Sequence, residues 1–370
     1  SCADPTRVHP RDLPAPRVGT LGIVTTRRLA VVVSANGYGH IRRQLLVVGE
    51  LLRRATDLRV AFGLTEAQHR RFKTEIDDLG PRAEALPGVT ERSPRWRHDP
   101  TAYEATDLDG WEAEWRRHPV LAEADHVLSD NLVGVLAHRP DAVLSGSFLW
   151  SDVLDVHAAS STPCREYVSR ERALLDRHRP PMLASADLAT DGVRTRTAMV
   201  PLPWMVDAGI PEVAARRETI LVHGGGTRTL DATVRRVARE LRDGGMRVAT
   251  DLEDDEHCFG FSESEWREVG LVVCRPGVGT ATECVRWQIP MMVLRDPGNS
   301  EAEHVTSQLV RLGVARELPP WSHPAELAEM ARSARDAGVD GSIARALRAR
   351  ERGGIGRAVD WLQRYWSLGS

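Results

Sequence analysis

Three glycine-rich segments hold the residues whose types and spacing suit chemistry. In the first, N-G-Y-G-H from Asn36 to His40 follows an apolar run and precedes a helical pattern carrying Leu45, Leu46, Val48, Leu51 and Leu52. A glycine turn between strand and helix lets a ligand approach the backbone, and the helix start offers free N–H groups and a positive dipole end. Gly37 and Gly39 provide that opening. His40 falls in the first helical turn, where a neutral imidazole can take a proton from a hydroxyl. A histidine that merely caps the helix or packs in the turn is the structural alternative. Arg42 and Arg43 follow at the same helix start, placed to meet an anionic group. The loop has neither G-x-G-x-x-G nor G-K-[ST] spacing, so neither a dinucleotide fingerprint nor a P-loop is supported.

The second segment follows the run Ile220–Val222: His223, then Gly224, Gly225, Gly226 and Thr227, then a helix from about Leu230 to Arg242. Consecutive glycines and a hydroxyl at a helix start make an anion cradle that a diphosphate would fit, although a tight turn needing positive φ explains the glycines equally well. The third segment, R-P-G-V-G-T-A-T-E from Arg275 to Glu283, follows the apolar Leu271–Cys274. Thr280 and Glu283 have capping-box spacing, which is one reading. The other is a ligand crevice at a strand's carboxyl end, with Arg275 for an anion and the Glu283 carboxylate for ribose hydroxyls. Beyond Met291–Leu294, polar residues collect again, in Asp296–Ser300 and the helix bearing Glu301, Glu303, His304 and Ser307.

The elements that must position these residues are short β-branched runs separated by helix-length amphipathic segments, the pattern of a parallel sheet covered on both faces. The fold class is α/β. Expected strands are Leu29–Ser34, Leu58–Phe62 and Ala142–Ser145 in the first half, and Thr219–Val222, Arg247–Thr250, Leu271–Cys274 and Met291–Leu294 in the second, so two sheets are expected. Proline and glycine between Val200 and Arg217 mark a linker. The expected organisation is an extension over 1–27, a first Rossmann-like domain over 28–204, a second over 205–354, and a terminal helix over 355–370 that docks its apolar stripe on one of the domains. Pro87 to Pro119, with Trp96, Trp111 and Trp115, reads as an insertion lining a cleft.

The chain has 370 residues, and 49 Lys and Arg against 52 Asp and Glu leave a formal charge of −3. Bulk charge therefore recruits neither nucleic acid nor an anionic membrane. No run approaches the ~18 apolar residues of a membrane-spanning helix. The five cysteines are scattered without a C-x-x-C pair, which fits a reducing compartment, and a cytoplasmic location is expected. The acidic run Asp251, Glu253, Asp254, Asp255 and Glu256 reads as a solvated loop rather than a metal site.

At the three glycine segments the chain resembles the nucleotide-sugar glycosyltransferases of the GT-B fold, particularly family 28, the peptidoglycan lipid-intermediate N-acetylglucosaminyltransferase branch. G-Y-G-H and G-G-G-T are similar to that family's loops. R-P-G-V-G-T-A-T-E-C-V-R-W-Q-I-P-M-M resembles its R-x-G-x-x-T-x-x-E…x-x-P signature. E-A-E-H-V-T-S-Q-L resembles its E-Q-x-x-N-A-x-x-L, with His304 in place of glutamine. The resemblance implies two Rossmann-like domains facing across a cleft, a nucleotide-sugar donor held mainly by the second, and inverting transfer to a small-molecule or glycan acceptor without metal or cofactor. It further implies that Gly224, Gly225, Gly226 and Thr227 contact the diphosphate, Glu283 the ribose, and Gly279 and Thr280 the phosphate or sugar. Arg275 belongs to the same donor set, Glu303 and His304 face the sugar hydroxyls, and His40 is the general base, with Gly37 and Gly39 letting donor or acceptor come close. The donor is expected to be a uridine diphosphate sugar, with a thymidine donor as the alternative.

Two other readings stay open. G-x-G-H followed by basic residues also resembles the nucleotide-sugar hydrolases of nonulosonic acid pathways, so a hydrolase or epimerase is one. A nucleotide-sugar-binding partner protein without turnover is the other. Space for an acceptor near Trp96, Trp111 and Trp150 would separate transfer from hydrolysis.

Overall fold

The computed structural model describes residues 26–211, 217–225, 230–321, 323–339 and 341–368. Among them, strands β1 (Arg27–Val33), β2 (Leu58–Leu64), β3 (Ala83–Pro87), β4 (His126–Asp130), β5 (Val143–Ser145), β6 (Pro181–Ser185) and β7 (Ala198–Leu202) form one sheet, ordered β3-β2-β1-β4-β5-β6-β7. Strands β8 (Thr219–His223), β9 (Arg247–Thr250), β10 (Val269–Cys274), β11 (Met291–Val293) and β12 (Ala315–Glu317) form a second, ordered β12-β11-β10-β8-β9. Every pairing is parallel. The two-sheet α/β class is as the sequence pattern indicates.

Each sheet is buried on both faces because alternate side chains of a strand point to opposite sides. In β1, Ala30 and Val32 enter one apolar cluster while Leu29, Val31 and Val33 enter another. In β10, Val272 and Cys274 divide from Leu271 and Val273 in the same way.

Strands β3, β4, β6, β7 and β12 escape the sequence reading. They are short and carry polar or proline residues, such as H-V-L-S-D for β4 and A-M-V-P-L for β7. β7 lies partly inside the stretch read as linker. Pro201 is tolerated there because β7 is an edge strand, where a missing N–H breaks no ladder on the open side.

The segment after β7 pairs with the chain's return. Trp204 donates to Glu351 O at 3.0 Å, and Gly354 donates to Trp204 O at 2.9 Å. A Cβ on Gly354 would stand 2.5 Å from both Pro203 O and Trp204 O, so the close approach requires glycine there. The final helix, Gly354–Tyr365, then packs Ala358, Val359 and Leu362 into the first domain's core with Leu29 and Leu202.

The tryptophans do not line a cleft. Trp96, Trp111, Trp115 and Trp150 are all buried in the first domain's core, so it is His98 of the Pro87 to Pro119 segment, not its tryptophans, that reaches the second domain. The segment also contacts the first glycine loop: Ala35 N donates to Ser93 Oγ at 3.1 Å and Trp96 N to Asn36 Oδ1 at 3.2 Å.

One buried acid in this core gives the fold a pH dependence. Glu171, 2% exposed, accepts from Ser151 N at 2.6 Å and from Tyr167 Oη at 2.8 Å. Burial pushes its carboxyl up to about 7 from an ordinary 4.5, against those hydrogen bonds. A folded-state value above the unfolded one means that the folded chain binds the proton more tightly. The contribution is therefore fully present below about pH 4.5 and lost as pH rises through about 7. Glu171→Gln keeps an oxygen to accept from Ser151 N and offers its amide N–H to the Tyr167 Oη in place of the second acceptor, without the charge. At pH 8 the variant should exceed the wild type in unfolding free energy by on the order of 2 kcal/mol, and the gap should close by about pH 5. Chemical denaturation at the two pH values checks this, and a gap independent of pH would refute it. Glu112, also pushed up to about 7 by burial, adds a slope common to both proteins.

Candidate active site

His40 lies in the first turn of the Tyr38–Arg54 helix, which follows β1. Its Nδ1 is 2.5 Å from Oδ1 of Asp130, the last residue of β4, the strand beside β1. Asp130 is fully buried. Its Oδ2 accepts from Arg43 Nη2 at 2.7 Å and from Gln44 Nε2 at 2.5 Å. Burial alone would raise the Asp130 carboxyl, but the charges of Arg43 and His40 and the hydrogen bonds from His40 and Gln44 outweigh it and hold it below the ordinary value. An ionised Asp130 fixes the proton on His40 Nδ1 and leaves Nε2 as an acceptor, the arrangement of a general base with its orienting carboxylate. Phe148 stands edge-on to the imidazole at 6.0 Å.

The chain after Asp130 secures that carboxylate. Asn131 adopts φ 57°, a left-handed turn that asparagine tolerates, and its Nδ2 donates to Phe148 O at 2.7 Å. A Cβ at Gly146 (φ 151°) would lie 1.8 Å from Asn131 Oδ1, so the glycine leaves room for the amide that turns the chain.

The opposing wall belongs to the second domain. The Val278–Trp287 helix begins at Gly277 and the Tyr38–Arg54 helix at Gly37, and neither has a side-chain cap. Some other helices carry one, from Thr65, Ser161, Thr190 and Ser262, while others such as Asp231–Asp243 and Gly354–Tyr365 do not. The two glycine starts leave their first N–H groups open to a ligand, with dipoles favouring negative charge. They also meet: a Cβ on Gly279 would stand 2.9 Å from the Gly39 Cα. The capping-box reading of Thr280 and Glu283 does not hold, because Gly277 is the cap and Glu283 is engaged elsewhere. Its Oε1 lies 3.0 Å from Arg42 Nε across the cleft, and its Oε2 accepts from Trp287 Nε1 at 3.2 Å. Both arginines after His40 thus meet anions, and the anions are the chain's own carboxylates.

Arg275, at the end of β10, is buried and pairs through Nε with Asp296 Oδ2 at 2.5 Å. Its Nη1 would be 3.2 Å from a Cβ on Gly225, whose φ is 82°. Gly224 and Gly225 are therefore beside the guanidinium, while Gly226 and Thr227 lie outside the described residues. His98 of the first domain reaches Asp296 Oδ1 at 3.2 Å.

The Ser300–Arg311 helix presents Glu301 to this site. Burial raises its carboxyl, and Arg275, His40 and Arg43 are close enough to pull the other way. Glu303, two residues along and so on another face of the helix, is exposed and accepts from Gly298 N at 3.1 Å. His304 is half-buried, and its imidazole faces the backbone at Leu188 and Ala189 of the first domain. The structure thus gathers His40, Gly37, Gly39, Arg275, Gly279, Thr280 and Glu283 around one cleft. From the Ser300–Arg311 helix it brings Glu301 there, while Glu303 turns to solvent.

Sequence reasoning missed Asp130, Gln44 and Glu301. A signal existed for Asp130: an acid closing a run of otherwise apolar strand residues is costly unless paired. The acidic run is also only partly solvated, because Asp251 pairs with His223 at 2.6 Å and Asp255 accepts from Arg242 at 2.6 Å. No helix among the described residues is long and apolar enough to cross a membrane.

No family model matches the chain, and no curated protein does. Solved structures do. The glycotransferase of kitacinnamycin is 16% identical, with a TM-score of 0.64 over 93% of this chain and 99% of that one. The calicheamicin glycosyltransferase CalG4 is 15% identical, with a TM-score of 0.57 over 92% and 98%. Phytolacca americana UGT2, solved with UDP-2-fluoro-glucose and pterostilbene, is 12% identical, with a TM-score of 0.63 over 92% and 100%. These likenesses establish the architecture: two facing Rossmann-like domains, the fold of the GT-B glycosyltransferases.

Proposed function

We propose that the chain is an inverting glycosyltransferase that moves a sugar from a nucleoside diphosphate, preferentially a UDP-sugar, to a hydroxyl of a small-molecule or glycan acceptor. The observation that carries this reading is the His40–Asp130 pair facing the uncapped start of the Val278–Trp287 helix. The acceptor hydroxyl attacks the anomeric carbon as the nucleoside diphosphate leaves from the opposite face. His40 Nε2 takes the hydroxyl proton, and helix N–H groups together with Arg275 receive the charge on the departing phosphate. Those fixed charges perform the task a divalent cation would, so neither metal nor cofactor takes part in this reading. The likeness of Arg275–Glu283 to the family 28 signature supports the donor half of the assignment. Neighbours in fold act as precedents for small acceptors: Phytolacca americana UGT2 was solved with pterostilbene, and Arabidopsis thaliana UGT89C1, 14% identical, with quercetin. Nucleic acid has no place in the reading, and the site of action is the cytoplasm.

The test is a thermal-shift titration with UDP, dTDP, GDP, ADP and NAD, because a ligand of the folded state stabilises by RT ln(1 + [L]/Kd). A selective shift with UDP that is lost in Glu283→Ala is expected. Because Arg42 pairs with Glu283 across the cleft and competes for the carboxylate assigned to the ribose, Arg42→Ala should enlarge the UDP shift. No shift with any diphosphate would sink the reading, and UDP release from a UDP-sugar at equal rates with and without acceptor would point to hydrolysis.

A further inference from the structure

A second imidazole–carboxylate pair stands at the other end of the proposed reaction path. His223 is the last residue of β8, which lies between β10 and β9. On the β9 side, its Nδ1 is 2.6 Å from Oδ2 of Asp251, the residue after that strand, and Asp251 Oδ1 accepts from Gly224 N at 3.4 Å. On the β10 side, His223 pairs in register with Cys274, and its carbonyl accepts from Arg275 N at 3.1 Å. The backbone of His223 is thus tied to β10, and its ring is held by Asp251 at the start of the glycine loop.

Burial would raise the Asp251 carboxyl, but the hydrogen bond and charge of His223 and the N–H of Gly224 hold it below the ordinary value. Asp251 is then an anion that keeps a proton on Nδ1, leaving Nε2 on the opposite edge of the ring. Among the described residues nothing hydrogen-bonds that atom. Phe261 fixes the ring plane edge-on at 5.3 Å, and its own carbonyl receives Arg42 Nη1 of the first domain at 3.5 Å, which places the ring beside the cleft.

The arrangement repeats that of His40. Each histidine follows or ends a strand, each is held by a carboxylate at the end of the adjacent strand, and each has a phenylalanine edge-on. We propose that His223 is a catalytic residue that, as an imidazolium with one proton facing the Asp251 carboxylate and the other facing the anionic diphosphate, donates a hydrogen bond from Nε2 to the leaving group, with Asp251 as its positioning residue. The proposal rests on the functional reading above. As the acceptor oxygen bonds to the anomeric carbon, its proton passes to His40 Nε2. The bond from that carbon to the diphosphate oxygen breaks, with its electron pair staying on the phosphate. His223 keeps both ring protons, one toward Asp251 and one toward the phosphate, and its Nε2 hydrogen bond strengthens as that charge grows, which favours the transition state over the bound donor.

The experiment measures uridine, UMP and UDP binding by calorimetry, together with steady-state transfer, for the wild type, His223→Ala and Asp251→Asn. His223→Ala should weaken UDP by about 10- to 100-fold, as expected for losing a hydrogen bond to a charged group, while uridine affinity stays the same. Its kcat should fall as well, and Asp251→Asn should show the same pattern with a smaller loss. If uridine and UDP weaken together, His223 merely supports the loop, and the proposal fails. Wild-type UDP affinity and kcat in His223→Ala would also overturn it. A wild type that binds uridine and UDP equally would overturn the proposal alone, whereas a wild type that binds no nucleotide would overturn the glycosyltransferase reading beneath it.

Discussion

Replacing His40 with alanine should lower kcat for sugar transfer by about 10²- to 10⁴-fold, the usual contribution of a positioned general base, while UDP affinity is unchanged. The separation follows from geometry. His40 belongs to the first domain and is tied to Asp130 at 2.5 Å, whereas the groups assigned to the nucleoside and diphosphate, Glu283 and Arg275, belong to the second. The variant also removes an imidazole that is largely enclosed, its side chain 11% exposed, so some loss of stability accompanies it. Kinetics should therefore be measured well below the variant's melting temperature, beside UDP titrations. Equal losses in UDP affinity and kcat would place His40 in donor binding. An unchanged kcat would remove it from the chemistry, leaving a binding protein or a base elsewhere.

How much of this was legible in the sequence depends on how local each feature is. The glycine segments were visible because the strand, turn and helix that create them are contiguous. Gly37 and Gly279 were found for that reason, although the sequence could not reveal that Gly39 and Gly279 touch each other. His40 was visible, but its partner was not, because Asp130 is 90 positions away and comes beside it only through the β1–β4 pairing. The five-residue β4 offered too little periodicity to be recognised as the strand that delivers it.

The tail of the site shows a different limit. The motif resemblance points to Glu303, yet the start of the Ser300–Arg311 helix, set by the Asn299 cap (Ala302 N to Asn299 Oδ1, 3.1 Å), turns Glu301 toward His40 and Glu303 outward. Helical phase is decided by where the cap falls, and a shift of two residues moves a side chain by about 200° around the axis. The tryptophans failed for yet another reason. Trp111 and Trp115 lie among charges in the sequence, but their burial in the core depends on packing that no local pattern records.

Asp130→Asn should lower kcat by about 10²- to 10⁴-fold as well, and the loss should not add to that of His40→Ala, since groups acting as one unit are strongly non-additive. An asparagine amide facing Nδ1 can donate to it. That would move the imidazole proton to Nε2, the atom that must accept from the acceptor hydroxyl. The isosteric change keeps an oxygen for Arg43 and Gln44, which both donate to the same carboxylate oxygen. Truncation to alanine is different: it strands the mostly buried Arg43 guanidinium, 13% exposed, and should cost about 3–5 kcal/mol of stability, as breaking a buried ion pair does. Asparagine is therefore the informative variant for chemistry and alanine for stability. If His40→Ala/Asp130→Asn is no slower than His40→Ala alone, Asp130 acts through the imidazole. If the two losses multiply, Asp130 has an independent role, and the hydroxyl proton must leave by a path that does not pass through the His40–Asp130 pair.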